Sequence, residues 1–256
     1  MKILKFKKQS KDKYKLYLDN NSDITLYEDV IIKNNLLITK EISDELLDTL
    51  KKQNNDMYAY TLALGYISVK MRSIKEINDY LIKKGFNNLV ANKVSERLIK
   101  EGYLNDLKYA KSFINDSMNL TNKGPQKIKM ELIKYGVNKD IIESEIALID
   151  QRKVEEKLNK LIDKELKIKK GSQNVIKIRI INHFVNLGYS KDLVTSILTG
   201  KEITSDKSKL KKDYAKLYNK YKVKYNGQEL LYFISQKLYS KGYTASDIKE
   251  ILKEEN

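Results

Sequence analysis

The 256 residues contain no cysteine, so neither a disulfide nor a thiolate metal site is available. That suits a cytoplasmic protein. Tryptophan is also absent, and the single proline, Pro125, leaves the rest of the chain free of the one residue that forbids a helix interior. No apolar run is long enough to cross a bilayer, and the basic stretch Met1 to Lys8 is not followed by the apolar core of a signal peptide. His183, the only histidine, stands one residue before the apolar Phe184 and reads as a packing residue. There is no GxxxxGK[ST] phosphate loop and no His or Cys cluster for a metal, so nothing in the sequence supports an enzyme or calls for a cofactor.

What the chain has in excess is positive charge: 50 Lys plus Arg against 34 Asp plus Glu, a net +16. Such a balance attracts polyanions or acidic protein surfaces, and weak, sequence-insensitive binding to DNA is expected from it alone. The same chain is rich in Lys, Asn and Ile, a bias that a low-GC genome also produces, so charge by itself does not choose a partner.

The order in the chain comes from four glycines. Lys84-Gly85-Phe86-Asn87, Tyr135-Gly136-Val137-Asn138, Leu187-Gly188-Tyr189-Ser190 and Lys241-Gly242-Tyr243-Thr244 share one pattern, and the glycines recur at steps of 51, 52 and 54 residues. Glycine ends a helix by taking the left-handed conformation without a Cβ penalty. The Asn, Ser or Thr two residues on caps the next helix, while the apolar residue between packs back and staples forward onto Ala91, Ile142, Val194 or Ile248. Gly85, Gly136, Gly188 and Gly242 are therefore helix–helix corners. Four residues before them lie Leu81, Leu132, Phe184 and Leu238, and eight before lie Ile77, Ile128, Ile180 and Ile234, one apolar helical face. In the fourth copy Thr244-x-x-Asp247 reads as a reciprocal cap.

An amphipathic run precedes each pair: Ala59 to Ile67, Leu107 to Ile114, Val154 to Ile162 and Leu210 to Tyr221. The expected fold is mainly α, with tandem three-helix repeats in an elongated array at 51–102, 103–150, 151–203 and 204–256. Residues 1–50 differ. Alternation over Tyr14 to Leu18 and Ile24 to Tyr27 about a polar turn predicts a β-hairpin, Ile3 to Phe6 a third strand and Leu36 to Thr39 a fourth, with a short helix over Ser43 to Leu50. Tyr66, Tyr109, Tyr214 and Tyr218 fall on apolar helical faces and are expected in the core.

Ordered words in the first half resemble the RecX regulatory proteins of bacteria. They are Tyr66-Ile67-Ser68 through Arg72-Ser73-x-x-Glu76-Ile77 and Leu81-x-x-Lys84-Gly85-Phe86, then Gly102-Tyr103-Leu104-Asn105-Asp106-x-x-Tyr109-Ala110. Last comes Lys123-Gly124-Pro125-x-x-Ile128-x-x-Glu131-Leu132 with Gly136-Val137. The resemblance covers about residues 56 to 149 closely, while the third and fourth copies keep the corners and lose the wording. It implies a monomeric, non-catalytic protein that binds the RecA recombinase filament on single-stranded DNA and limits its ATPase and strand exchange.

Candidate contacts lie off the apolar faces. Besides Arg72, they are Lys93, Arg97 and Lys100 in the first repeat, Lys123, Lys127 and Lys134 in the second, and Lys153, Lys157, Lys160, Lys164 and Lys167 as a stripe in the third. A charged stripe also serves simply as a solvated face. Two other readings stay open: a free-standing DNA-binding helical-repeat protein, disfavoured by post-glycine helices that open on Asn88-Leu89-Val90 or Asp140-Ile141-Ile142, and a scaffold for some other protein.

Overall fold

The computed structural model describes residues 1–254. Three strands, β1 (Ile3–Ser10), β2 (Lys13–Leu18) and β3 (Asp23–Tyr27), form an antiparallel sheet in the order β1-β2-β3. Leu16 and Leu26 face inward from it and are fully covered, together with Ile3, Leu18, Val30, Ile31 and Leu50. The predicted fourth strand is instead a helical turn. After α1 (Glu28–Lys33) comes α2 (Leu36–Thr39), bracketed by Asn35 and Lys40 at φ 51° and 48°. Two left-handed residues five apart turn the chain too sharply for an extended segment between them.

The short helix expected over Ser43 to Leu50 runs on without a break as α3 (Asp44–Ile67), capped by Ser43. Its polar middle has a use that the pattern hid. The Asn54 amide accepts from Tyr27 N at 2.9 Å and donates to Thr25 O at 3.1 Å, closing the open edge of β3.

Beyond this the chain is helical, and the helices come in threes of one design. They are α4 (Ile74–Lys83), α5 (Asn88–Lys100), α6 (Asp106–Leu120), α7 (Pro125–Lys134), α8 (Lys139–Ala147) and α9 (Gln151–Ile168). Then follow α10 (Gln173–Asn186), α11 (Lys191–Thr199), α12 (Lys207–Tyr221), α13 (Gly227–Ser240) and α14 (Ala245–Glu254). The predicted inner positions Ile77, Leu81, Ile128, Leu132, Ile180, Phe184, Ile234 and Leu238 are all buried. So are the staple residues Ala91, Ile142, Val194 and Ile248. Thr244 and Asp247 form the expected reciprocal cap, at 2.9 and 3.1 Å. Tyr109 and Tyr214 are buried and Tyr66 is half-buried, but Tyr218 is 39% exposed, its ring stacked outside Tyr214. His183 is also exposed and touches Phe184 only edge-on.

Two compact units divide these elements, one of Met1–Lys111 with Ile133–Ile141, the other of Ser112–Leu132 with Ile142 to the end. Within each unit the corners do more than turn the chain. In the first, Ser73, the N-cap of α4, donates its hydroxyl to the carbonyl of Tyr135 at 2.6 Å. In the second, Gly124 N donates to Leu187 O at 2.7 Å and Gln126 N to Gly188 O at 3.0 Å. Ser172, the N-cap of α10, donates to Lys241 O at 2.7 Å. Each time, the last carbonyls of one helix-and-glycine corner are received by the opening of the corresponding helix one copy earlier. The carbonyls left free at a helix end thereby find donors: backbone amides at the start of α7, and the N-cap serine hydroxyls at α4 and α10.

The next amide is handled just as regularly. Ile74 N donates to Asp106 Oδ1 at 3.0 Å, and Gln173 N to Ser205 Oγ at 3.0 Å, both acceptors coming from the start of the following copy. At α7 the equivalent residue is Pro125, which has no N–H to satisfy.

Candidate functional site

In the first unit the segment between α3 and α4 holds Arg72 against one aromatic ring and one carboxylate. Its guanidinium lies 3.7 Å over the Tyr66 ring, which stacks in turn on Tyr80 at 4.1 Å. Nη1 is 3.3 Å from Glu76 Oε1, while Glu76 Oε2 accepts from Ser73 N at 3.0 Å as half of a capping box. With side chains only 11% and 16% exposed, the pair belongs to the interior of the joint rather than to a free surface. Arg72 Nε has no hydrogen-bond partner among the described residues. Burial near Glu76 pushes the Tyr109 phenol well up, and burial raises the Asp106 carboxyl against the opposing pull of the Ile74 amide.

Lys93, Arg97 and Lys100 are exposed on α5, but two of them are engaged. Lys93 pairs with Asp56. Arg97 stacks at 3.8 Å over Tyr60 and donates through Nε to Glu101 Oε1 at 2.7 Å. The Tyr60 hydroxyl donates to the same carboxylate at 2.5 Å, and burial together with that bond pushes its pKa up to about 12. These groups line a cavity of about 370 Å³ that also reaches Asp29 and Lys33. Lys134, also in this unit, is exposed.

The second unit carries the more basic groove. The end of α6 and the start of the connection after it, Met118 to Asn122, face α9 across a cavity of about 410 Å³ lined by Lys153, Lys157, Lys160 and Lys164. Lysines at i, i+4, i+7 and i+11 share one helical stripe, beside the buried stripe of Val154, Leu158 and Ile162. Lys153, Lys160, Lys164 and Lys167 are exposed. Lys157 is not: its ammonium donates to Met118 O at 2.6 Å and reaches Lys123 O at 3.5 Å, supplying the charge that a helix C-terminus favours. Desolvation lowers its pKa. Lys123 lies just before α7, its ammonium 2.6 Å from Glu131 and 6.0 Å over the Phe113 ring, whereas Lys127 is exposed.

The predicted contact residues thus fall into two kinds. Lys100, Lys127, Lys134, Lys153, Lys160, Lys164 and Lys167 present their charge to solvent, while Arg72, Lys123 and Lys157 spend theirs inside the structure and Lys93 and Arg97 spend theirs on Asp56 and Glu101. Nothing in the spacing of a lysine tells these apart, because the acceptors for Lys157 are backbone carbonyls more than thirty residues away.

Profiles describing the first and second three-helix domains of RecX match residues 59–98 and 105–144, from the second half of α3 into α5 and from the start of α6 into α8. The regulatory protein RecX of Streptococcus uberis is 35% identical over 99% of both chains. The chain belongs to the RecX family. RecX of Streptococcus sanguinis is 32% identical over 99% of both chains, and RecX of Staphylococcus haemolyticus 26% over 98% of this chain and 96% of its own. Among solved structures, a regulatory protein RecX superposes with a TM-score of 0.69 at 22% identity, covering 77% of this chain and 98% of that one. The RecX of Lactobacillus salivarius gives 0.53 at 27% identity over 57% of this chain and 96% of its own. The RecX relatives match over nearly the whole chain, well past the two profiled domains. No helix among the described residues is long and apolar enough to cross a membrane.

Proposed function

We propose that this RecX protein binds the RecA recombinase filament on single-stranded DNA and restrains its ATP hydrolysis and strand exchange, so regulating recombination and DNA repair. It does so as a cytoplasmic monomer, by occupancy, without catalysing a reaction and without a cofactor or metal. The observation that carries this reading is the match, over 99% of both chains, to a regulatory protein RecX. Support comes from the site: seven of the predicted lysines hold their ammonium groups in solvent, where they can meet acidic side chains or phosphate. The repeats run 51–102, 103–150, 151–203 and 204–256, after an N-terminal segment of 1–50.

Within the second unit the contact surface is the α9 stripe of Lys153, Lys160 and Lys164 along its groove. Steady-state ATPase of the cognate RecA on single-stranded DNA, titrated with this protein, tests the function directly. Inhibition at ratios below one per recombinase is expected. An ATPase rate unchanged even with the protein in excess over RecA sinks the assignment, and equal inhibition by the triple Glu variant at 153, 160 and 164 removes this stripe from the contact.

A further inference from the structure

The sheet at the start of the chain has a second face that, apart from Tyr27 at its end, the core does not use. Residues 1–18 hold seven lysines and one carboxylate, Asp12. The register sorts them. Lys7 pairs with Lys15 and Lys15 with Thr25, while Lys5 pairs with Tyr17 and Tyr17 with Asp23. Alternate residues of a strand point to opposite sides, and Leu16, Leu18 and Leu26 are buried, so these two cross-strand rows stand on the outer face. Side-chain contacts agree: Thr25 Oγ1 donates to Gln9 Oε1 at 3.2 Å across β2, and Lys15 Nζ lies 3.0 Å from Asp23 and 5.4 Å from the Tyr17 ring. Asp23 neutralises Lys15. Lys5 and Lys7 are exposed and have no ion-pair partner among the described residues.

We propose that this outer sheet face is a binding surface for single-stranded nucleic acid, with Lys5 and Lys7 on successive phosphates and Tyr17 as a stacking ring for a base. Lys5 and Lys7, two residues apart on one strand, stand about 6.8 Å apart, the scale on which an extended nucleic-acid backbone repeats its charge. Tyr17, half-exposed and directly across from Lys5, offers a π-face beside that row. A charged row with an aromatic next to it is the chemistry of single-strand binding. An acidic peptide would satisfy the lysines and leave the ring unused. The surface shares no residue with the recombinase contacts proposed above and does not rest on them. It gives the protein a grip on the strand that the filament coats.

The test needs no recombinase. Fluorescence anisotropy of a labelled oligo(dT) with the full chain should show binding that weakens linearly in log–log form as salt rises. Lys5→Ala/Lys7→Ala should make that slope shallower by about 1.4, and Tyr17→Leu should weaken binding roughly tenfold while leaving the slope alone. Lys5→Arg/Lys7→Arg should retain binding. Wild-type affinity and slope in the Ala pair would overturn the proposal, as would poly-glutamate of equal charge displacing the oligonucleotide as well as unlabelled oligo(dT) does. A readout without mutation is photo-crosslinking of wild type to a halogenated-uracil strand: label in peptides from residues 1–27 is expected, and label confined elsewhere overturns it.

Discussion

The hydroxyl of Ser172 donates to the carbonyl of Lys241 at 2.7 Å, tying the N-cap of one helix to the C-cap of another sixty-nine residues later. Ser73 and Tyr135 repeat the arrangement at 2.6 Å in the other unit. A buried carbonyl that loses such a donor costs about 1–3 kcal/mol. Ser172→Ala should therefore lower the thermal midpoint clearly. Ser73→Ala should cost more, since Ser73 also caps α4 through Glu76 N, and caps contribute about 1 kcal/mol. Equal midpoints for Ser73→Ala and Ser172→Ala would show that the cap and the latch do not add.

The corner glycines differ in what surrounds them. All four have positive φ, but a Cβ at Gly85 meets nothing within 4 Å, at Gly136 it comes within 2.6 Å of the Lys75 side chain, and at Gly188 within 2.6 Å of Lys127 Cβ and closer still to its backbone. Left-handed strain alone costs about 1–2 kcal/mol; overpacking against backbone adds about 1–3 kcal/mol. Urea denaturation of the three alanine variants should rank the losses Gly85, then Gly136, then Gly188. Gly136→Val should fall below Gly136→Ala, because the branched side chain has less room against Lys75.

Asp213 and Asp106 should respond to acid in opposite senses. Burial alone would raise the Asp213 carboxyl, but bonds from Lys241 Nζ at 3.1 Å and the Tyr243 hydroxyl at 2.9 Å hold it below the usual carboxylate range. A depressed folded pKa contributes stability that is present above the unfolded value, about 3.9, and is lost as pH falls through the folded one. Asp106 is raised, chiefly by burial, so its contribution is full below the unfolded value and is lost as pH rises through the folded one. Melting curves from pH 7 to pH 3 should show Asp213→Asn destabilised at neutral pH and converging on wild type in acid. Asp106→Asn, which keeps an acceptor for Ile74 N, should lose less at pH 7 than Asp213→Asn; a larger loss would contradict the assignment of burial as its dominant influence.

Lys157 and Lys160 sit on one stripe and should behave differently. Lys157→Met removes the donor to Met118 O and should lower the midpoint of unfolding by several degrees, about 1–3 kcal/mol for a lost charged bond. Lys160→Ala should leave the midpoint within about 0.5 kcal/mol and weaken inhibition of the recombinase. The reverse pattern would place Lys157 in the contact and Lys160 in the fold.

How much of this was legible in the chain depends on the range over which each residue acts. The corners, their caps and the inner faces were readable because all their parts lie within eight residues of a glycine, and local rules apply there. Leu36 to Thr39 was misread as a strand because a short apolar run fits a strand as well as a helical turn, and the left-handed torsions of Asn35 and Lys40 that decide between them stand outside it. Nothing around Asn54 announced its role, because its donor and acceptor partners are in β3, nearly thirty residues earlier. Tyr218 fell on an apolar period yet stayed outside, since Tyr214 had already filled the position beneath it. The pairing of Ser73 with Tyr135 and of Ser172 with Lys241 has no local signature at all, and the division of lysines into structural and free ones follows from the same long-range contacts.

The open space at Gly85, set against the crowded Gly188, has a consequence for how the family can drift. At position 85 only the backbone torsion is selected, and asparagine, which tolerates that torsion, is an admissible replacement. At position 188 torsion and volume are selected together, so no side chain of any kind fits. Relatives should therefore be free to exchange the first corner glycine while keeping the third, because no change of side chain at position 127 removes the backbone atoms that a Cβ at 188 would meet.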